Sequence, residues 1–319
     1  MTHLSFRDED FRTQLSPADF LAACDQAFRL YGQGVLLNPP RSETLDRGTY
    51  RLEMPASWPG RYLARKIIVE QPGTGGGLGL REAFVELEDL TRGIQVRLEA
   101  GYATDMRTGA AGAWGIRYLA QRPVDCLAIL GTGRVARCLA RCADQLFGLR
   151  QLRVTSRQEA NRQAFAHDLA PLLRAPLHLA ASLAECLEGA DAVLAAVPTP
   201  QSILSLADLG PRTLLSVMGG DSRTRQLEPG ILAELTVLAD HPEQVERSGE
   251  FVYARNNRQT AQIRLARGAG GQVLTIGDAA CQRLPAGEAR PRVAYFTGLA
   301  VQDLCTAVAL YERLGPPPK

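Results

Sequence analysis

A short apolar run, Cys126-Leu127-Ala128-Ile129-Leu130, leads into Gly131-x-Gly133-x-x-Ala136 and then into a helical stretch reaching about Leu146. No other feature of the 319-residue chain restricts its fold as tightly. A strand without polar alternation is buried on both faces, which belongs to a parallel sheet covered by helices. In a dinucleotide-binding turn the three small residues have separate tasks. Gly131 makes the tight turn, Gly133 lets the backbone approach a pyrophosphate, and Ala136 allows close packing of helix on strand. The helix N-terminus faces the phosphates. This places Gly131, Thr132, Gly133, Arg134 and Val135 at the cofactor. The spacing alone is a weak signal; the strand before it and the helix after it give it weight. Similar apolar runs at 151–155, 192–197, 213–218 and 235–239 are separated by helix-sized segments. The expected fold is α/β, with a Rossmann-type parallel sheet in this half.

The segment Leu152-Arg153-Val154-Thr155-Ser156 would end in an acid if it bound the ribose 2′-hydroxyl of NAD. It ends Ser156-Arg157 instead, and the first carboxylate is Glu159. Arg157 suits adenine stacking or a 2′-phosphate, Ser156 suits hydrogen bonding to that phosphate, and Arg162 adds charge. NADP(H) is therefore expected over NAD(H), with NAD(H) as the alternative. The competing reading of Arg157 is a solvated loop residue.

The preceding part of the chain has a different texture. Ser16-Pro17-Ala18-Asp19 is a helix start, with Phe20, Leu21, Cys24, Ala27 and Phe28 on one face and an end near Gly32. Strands are expected at 49–54, 62–70, 82–89 and 94–99, with clear alternation in Ala83-Phe84-Val85-Glu86-Leu87-Glu88. Pro72 to Gly77 forms a loop, and Thr104 to Ala120 a long Ala-rich helix. A domain boundary is expected near Gln121-Arg122-Pro123. That gives an α+β domain over 1–121, completed by an apolar-striped helix in 298–319, and the Rossmann domain over 122–297.

Composition adds one sharp clue. Of 36 basic residues, 34 are Arg, and Lys66 is the only lysine before the terminal Lys319. Lysine carries a compact ammonium that can lose its proton on burial. Lys66 leads into the apolar Ile67-Ile68-Val69, which suggests a buried position with a function; chance survival at an exposed site is the alternative. Arg41 follows the stiff Asn38-Pro39-Pro40, and Arg107 sits near the start of the Ala-rich helix, an anion-favouring end. Two arginines and a lysine that converge would form a carboxylate clamp.

The other signals exclude. A net charge of +2 gives no electrostatic reason to expect nucleic acid or an anionic membrane as partner. No apolar run approaches the ~20 residues of a membrane span. The first ten residues lack the apolar core of a secretory leader, so a cytoplasmic protein is expected. Seven cysteines contain no CxxC, and Cys138 and Cys142 suit two small buried residues. His3, His167, His178 and His241 are scattered, so no metal site is expected.

A set of motifs runs in order from about Pro39 to Leu310. They are Pro40-Arg41, Glu53-Met54-Pro55, Lys66 with Pro72, Thr104-x-x-Arg107-Thr108-x-Ala110-Ala111, Gly131-x-Gly133 and Gly219-Gly220-Asp221. Ser248-Gly249-Glu250, Ile276-Gly277-Asp278 and Phe296-Thr297-Gly298-Leu299-Ala300-Val301-Gln302-Asp303 complete it. In this order the sequence resembles the ornithine cyclodeaminase/mu-crystallin family. It departs from the family's habit at Val135-Ala136, where Gln-Ala is frequent, and at the loop Gly73 to Gly77.

The resemblance implies that the first domain binds substrate and builds a homodimer. It implies that Arg41, Lys66 and Arg107 hold a substrate carboxylate and that Glu53 contacts the substrate's amino side. Asp221 and Lys66 would be catalytic, Asp221 as acid/base. Thr108, Val197, Met218 and Thr297 would join the cofactor residues. The family's shared chemistry is hydride exchange at a carbon bearing an amine or imine beside a carboxylate. The expected activity is an NAD(P)H-dependent reductase of a 2-imino carboxylate, such as 1-pyrroline-2-carboxylate or 1-piperideine-2-carboxylate, by hydride transfer to the imine carbon. The alternatives are an ornithine or lysine cyclodeaminase with recycled NAD, an amino-acid or opine-type dehydrogenase, and a non-catalytic mu-crystallin-like binder of a small ligand.

Overall fold

The computed structural model describes residues 2–72, 78–220, 222–259 and 262–316. The chain divides into two compact units, Met1–Arg107 with Leu299–Lys319, and Thr108–Gly298.

The first unit opens with β1 (Thr2–Phe6), α1 (Asp8–Gln14) and α2 (Pro17–Gly32). A meander follows: β2 (Ser42–Asp46), β3 (Thr49–Trp58), β4 (Tyr62–Pro72), β5 (Leu78–Asp89) and β6 (Ile94–Glu99). These make a six-stranded sheet in the order β1-β6-β5-β4-β3-β2, antiparallel except where β1 runs parallel to β6. The helix α2 begins where its cap chemistry requires. Ser16 Oγ accepts from the Asp19 backbone N–H at 3.3 Å, and Asp19 accepts from the Ser16 N–H at 2.8 Å. Its face of Phe20, Leu21, Cys24, Ala27 and Phe28 is buried. The last helix of the chain, α11 in chain order (Ala300–Leu314), packs on α2 and across β3, β4 and β5. Its stripe of Val301, Leu304, Cys305, Val308 and Tyr311 is buried.

The Ala-rich helix, α3 (Gly101–Leu119), starts earlier than its composition suggests. The reason is distant in sequence: Asp8 Oδ1 accepts from the Tyr102 N–H at 2.9 Å. That carboxylate occupies the anion-favouring end of the helix. Arg107 consequently lies in the second turn, not at the start.

In the second unit the elements after α3 are β7 (Cys126–Leu130), α4 (Arg134–Leu146), β8 (Gln151–Thr155), α5 (Glu159–Leu169), β9 (Leu177–Leu179) and α6 (Leu183–Leu187). Then come β10 (Ala192–Ala195), β11 (Leu214–Met218), α7 (Pro229–Glu234), β12 (Val237–Ala239), α8 (Pro242–Val245), α9 (Gly249–Asn256), α10 (Ile276–Ala280) and β13 (Val293–Phe296). The seven strands form one parallel sheet in the order β12-β13-β11-β10-β7-β8-β9. The fold is α/β: this unit is a Rossmann-type parallel sheet, as the apolar runs require, and the first unit is α+β. Residues of β10, β12 and β13 are buried throughout. Cys138 and Cys142 are both buried on α4. Among the described residues no helix is long and apolar enough to cross a membrane.

Candidate active site

In the first unit Lys66 stands at the middle of β4, opposite Met54 on β3 and Val85 on β5. Its side chain has no exposed surface. Lys66 Nζ donates to Asp303 Oδ1 at 2.8 Å. Arg107 Nε donates to the same oxygen at 3.2 Å. Asp303 and Arg107 side chains are 4% and 8% exposed, so all three charges are held away from water. The other oxygen, Asp303 Oδ2, is buried with no hydrogen-bond partner among the described residues. Burial pulls Lys66 down to about 8, and the like charge of Arg107 adds to the effect, while Asp303 opposes both. The neighbouring Gln302 accepts from the Leu299 N–H at 3.0 Å and donates to the Arg107 carbonyl at 3.4 Å.

The other two first-unit residues expected at the substrate have different partners. The Arg41 side chain is buried, and its nearest acid is Glu43, at 3.2 Å from Nε. Glu53 accepts from Arg51 Nε at 2.7 Å and from Arg65 Nη1 at 3.4 Å. Side chains alternate between faces along a strand. The register pairs Met54 with Lys66 and Glu53 with Ile67, so Glu53 lies on the sheet face opposite Lys66. The structure thus brings Lys66 and Arg107 together and keeps Glu53 apart from them.

Asp303 was not singled out by residue-level reasoning, although it closes the last quoted motif. One signal pointed toward such a residue: a buried lysine needs an acidic partner. A separation of 237 residues hides which acid that is.

In the second unit the cofactor candidates collect at the carboxyl ends of adjacent strands. The order β13-β11-β10-β7-β8 aligns Thr297, Met218, Val197, Gly131 and Ser156. Gly131 has φ +104°, and a Cβ there would stand 2.9 Å from the Ala196 carbonyl oxygen. Its N–H donates to Thr155 O at 2.9 Å. Gly133 is the N-cap of α4 and makes no side-chain cap, and a Cβ on it would meet nothing within 4 Å. Open space thus fronts the N-terminus of a 13-residue helix whose first turn, beginning Arg134-Val135, holds no acid. This cradle fits a pyrophosphate, so the residues present suit a dinucleotide. The Thr132 carbonyl accepts from Arg137 Nε at 3.3 Å. After β8, Arg157 is exposed. Arg162 Nη1 donates to the Ser156 carbonyl and Ser156 Oγ to the Gln158 carbonyl, so Arg162 shapes the loop that carries Arg157.

Three buried side chains fix the strand ends, of which only Glu250 stands in a quoted motif. Gln226 accepts from the Val197 N–H at 2.7 Å and donates to Met218 O at 2.8 Å, which ties the ends of β10 and β11 together. Glu250 Oε1 accepts from the Gln226 N–H at 2.7 Å. The Tyr295 hydroxyl meets the Glu250 carboxylate and the Gly219 carbonyl, the latter at 3.1 Å. A Cβ at Gly219 would collide with that hydroxyl, which accounts for the glycine. Thr297 is pinned by a fourth, Asp240, which accepts from the Thr297 and Gly298 N–H groups at 2.7 Å and from Thr297 Oγ1 at 2.9 Å. Burial raises the Asp240 carboxyl, and these donors counter it. Thr108 belongs to α3. Asp221, the expected acid/base, and Gly73 to Gly77 lie outside the described residues.

Comparison with known proteins bears on the fold and the family. Alanine dehydrogenase of Archaeoglobus fulgidus is 24% identical over 98% of this chain and 95% of its own. An archaeal alanine dehydrogenase dimer with bound NAD superposes with a TM-score of 0.84 at 21% identity, covering 100% of this chain and 99% of that one. The Δ1-pyrroline-2-carboxylate reductase of Thermococcus litoralis, in complex with NADH and L-proline, gives 0.84 at 21% identity over 97% of each chain. The family profile matches residues 6–316, and the chain belongs to the ornithine cyclodeaminase/mu-crystallin family.

Proposed function

We propose that the chain is an NAD(P)(H)-dependent oxidoreductase of small amino or imino acids, and specifically a reductase of a cyclic 2-imino carboxylate such as 1-pyrroline-2-carboxylate or 1-piperideine-2-carboxylate. The buried Lys66–Asp303–Arg107 cluster carries the reading. Two cations against one carboxylate leave a positive excess out of water, and such an excess calls for an anion. A substrate carboxylate supplies that anion, and a guanidinium orients it. Lys66 titrates close enough to neutrality both to bind as a cation and to move a proton. Asp221 is the proposed acid for the substrate nitrogen. The dinucleotide, when bound at Gly131 to Val135, supplies the hydride for the imine carbon. The lack of an acid at Ser156-Arg157, directly after β8, and the exposure of Arg157 support NADP(H) over NAD(H). The first unit is proposed to bind substrate and to build a homodimer in the cytoplasm, as the archaeal alanine dehydrogenase is a dimer.

The Thermococcus reductase supports the imino-acid class, being a structure with L-proline and NADH. A second reading, amino-acid dehydrogenase, is favoured by the alignment of Archaeoglobus alanine dehydrogenase along 98% of the chain. The test is absorbance of the reduced nicotinamide. NADPH oxidation is expected with either cyclic imine. Reduction of NAD(P)+ by L-alanine in its place establishes the second reading. Nucleotide binding without turnover of imine or amino acid overturns both and leaves a ligand-binding role.

A further inference from the structure

Three elements distant in sequence meet at one oxygen atom. Asp303 Oδ1, in the first turn of α11, accepts from Lys66 on β4, 237 residues away, and from Arg107 on α3, 196 residues away. We propose that Asp303 is a positioning residue for the substrate carboxylate: through one oxygen it tethers both cations that grip that anion. The inference rests on the function proposed above.

The argument is electrostatic. Asp303 is the one hydrogen-bond acceptor of the Lys66 ammonium among the described residues. Its own compensation is limited to the two cations, because Oδ2 has no hydrogen-bond partner among the described residues. The charged groups facing Lys66 are Asp303 from α11, Arg107 from α3 and, more weakly, Arg81 from β5. Two of the three favour loss of the ammonium proton, and only Asp303 holds it. Without that carboxylate, Lys66 turns neutral at a lower pH and is no longer held toward Arg107. The substrate anion then meets one fixed cation where it met two.

The scarcity of lysine makes this directly measurable. Protein labelled with 13C at the lysine ε-carbon carries two lysine signals, and Lys319→Arg identifies the second. Lys66 is expected to titrate near 8 in the native chain, below the ordinary lysine value of ~10.4. In Asp303→Asn the Lys66 midpoint is expected to fall by ~1 unit or more, the usual scale for losing an adjacent opposite charge. KM for 1-pyrroline-2-carboxylate should rise by about tenfold or more, as for loss of a hydrogen bond to a charged group, with the larger effect in KM than in kcat. Asp303→Glu, which keeps the charge, should restore most of the midpoint and part of KM, and it carries the test should the Asn variant not fold. Dinucleotide affinity should be unchanged in both variants. An Asn variant whose Lys66 titrates as in the native chain overturns the proposal, as does a Glu variant as impaired as Asn. A midpoint that moves in a protein without turnover of any imine leaves the tether standing and removes the proposed function instead.

Discussion

Tyr295→Phe removes one oxygen atom from a buried polar network of the second unit. The hydroxyl serves the Glu250 carboxylate and the Gly219 carbonyl, and Tyr295 has no exposed surface. Losing a hydrogen bond to a buried charged group costs about 1.5–3 kcal/mol. In a unit of this size each kcal/mol lowers Tm by roughly 2–4 °C, so a fall of about 3–12 °C is expected near neutral pH. The pH dependence is the sharper part. Burial raises the Glu250 carboxyl above its ordinary value, opposed first by the Tyr295 hydroxyl and then by backbone N–H groups. A carboxyl raised on folding contributes stability that is complete below its unfolded value and is lost as pH rises through its folded value. Removing the hydroxyl raises Glu250 further, so the variant's deficit should be small at acidic pH and grow toward neutral pH. At acidic pH the protonated Glu250 carries no charge to compensate, and its need for the hydroxyl falls. Thermal melts of both proteins between about pH 5 and 8, the stable range of most proteins, would show this. Melting curves that run parallel at every pH would refute the electrostatic reasoning. Glu250→Gln in the same background should abolish the pH dependence of the difference, because the charge it tracks is gone.

Further outcomes concern the nucleotide turn, Arg157 and Lys66. Gly131→Ala places a Cβ against the Ala196 carbonyl at a φ of +104°, which should destabilise by about 1–3 kcal/mol and weaken dinucleotide binding measured by fluorescence; an unchanged Kd would contradict the assigned turn. Arg157→Ala should raise KM for NADPH by about tenfold, consistent with a lost charge-assisted contact, while leaving KM for NADH nearly constant. Equal effects on both cofactors would refute the 2′-phosphate assignment. Lys66→Arg keeps the charge but inserts a larger group at a site with no exposed surface, so kcat/KM should fall by at least ~10²-fold if proton movement is involved, with nucleotide affinity intact. Near-native turnover of this variant would mean that Lys66 serves only as a cation.

The parallel-sheet half was legible in the sequence because its information is local. A fully apolar strand, a glycine turn and an amphipathic helix each declare themselves within a few residues, and the runs at 151–155, 192–197 and 213–218 correspond to β8, β10 and β11. The helix α2 was legible for the same reason, since its cap and its buried face lie within one segment. An exposed strand was not: β2 is exposed throughout, so it leaves no pattern to read. Lys66 stood out against the arginine bias, yet the sequence held no sign that Asp303 would be its partner.

Tertiary structure decided the rest, because those choices depend on which distant residues share a small volume. The register of β3 on β4 placed Glu53 across the sheet from Lys66, although 13 positions of sequence are compatible with either face. Asp8 advanced the start of α3 by capping Tyr102 from 94 residues away. Gly219 is required by the Tyr295 hydroxyl, and Thr297 is held by Asp240. In each case a buried polar group had to find a partner, and only the folded chain determines which one stands within 3 Å of it.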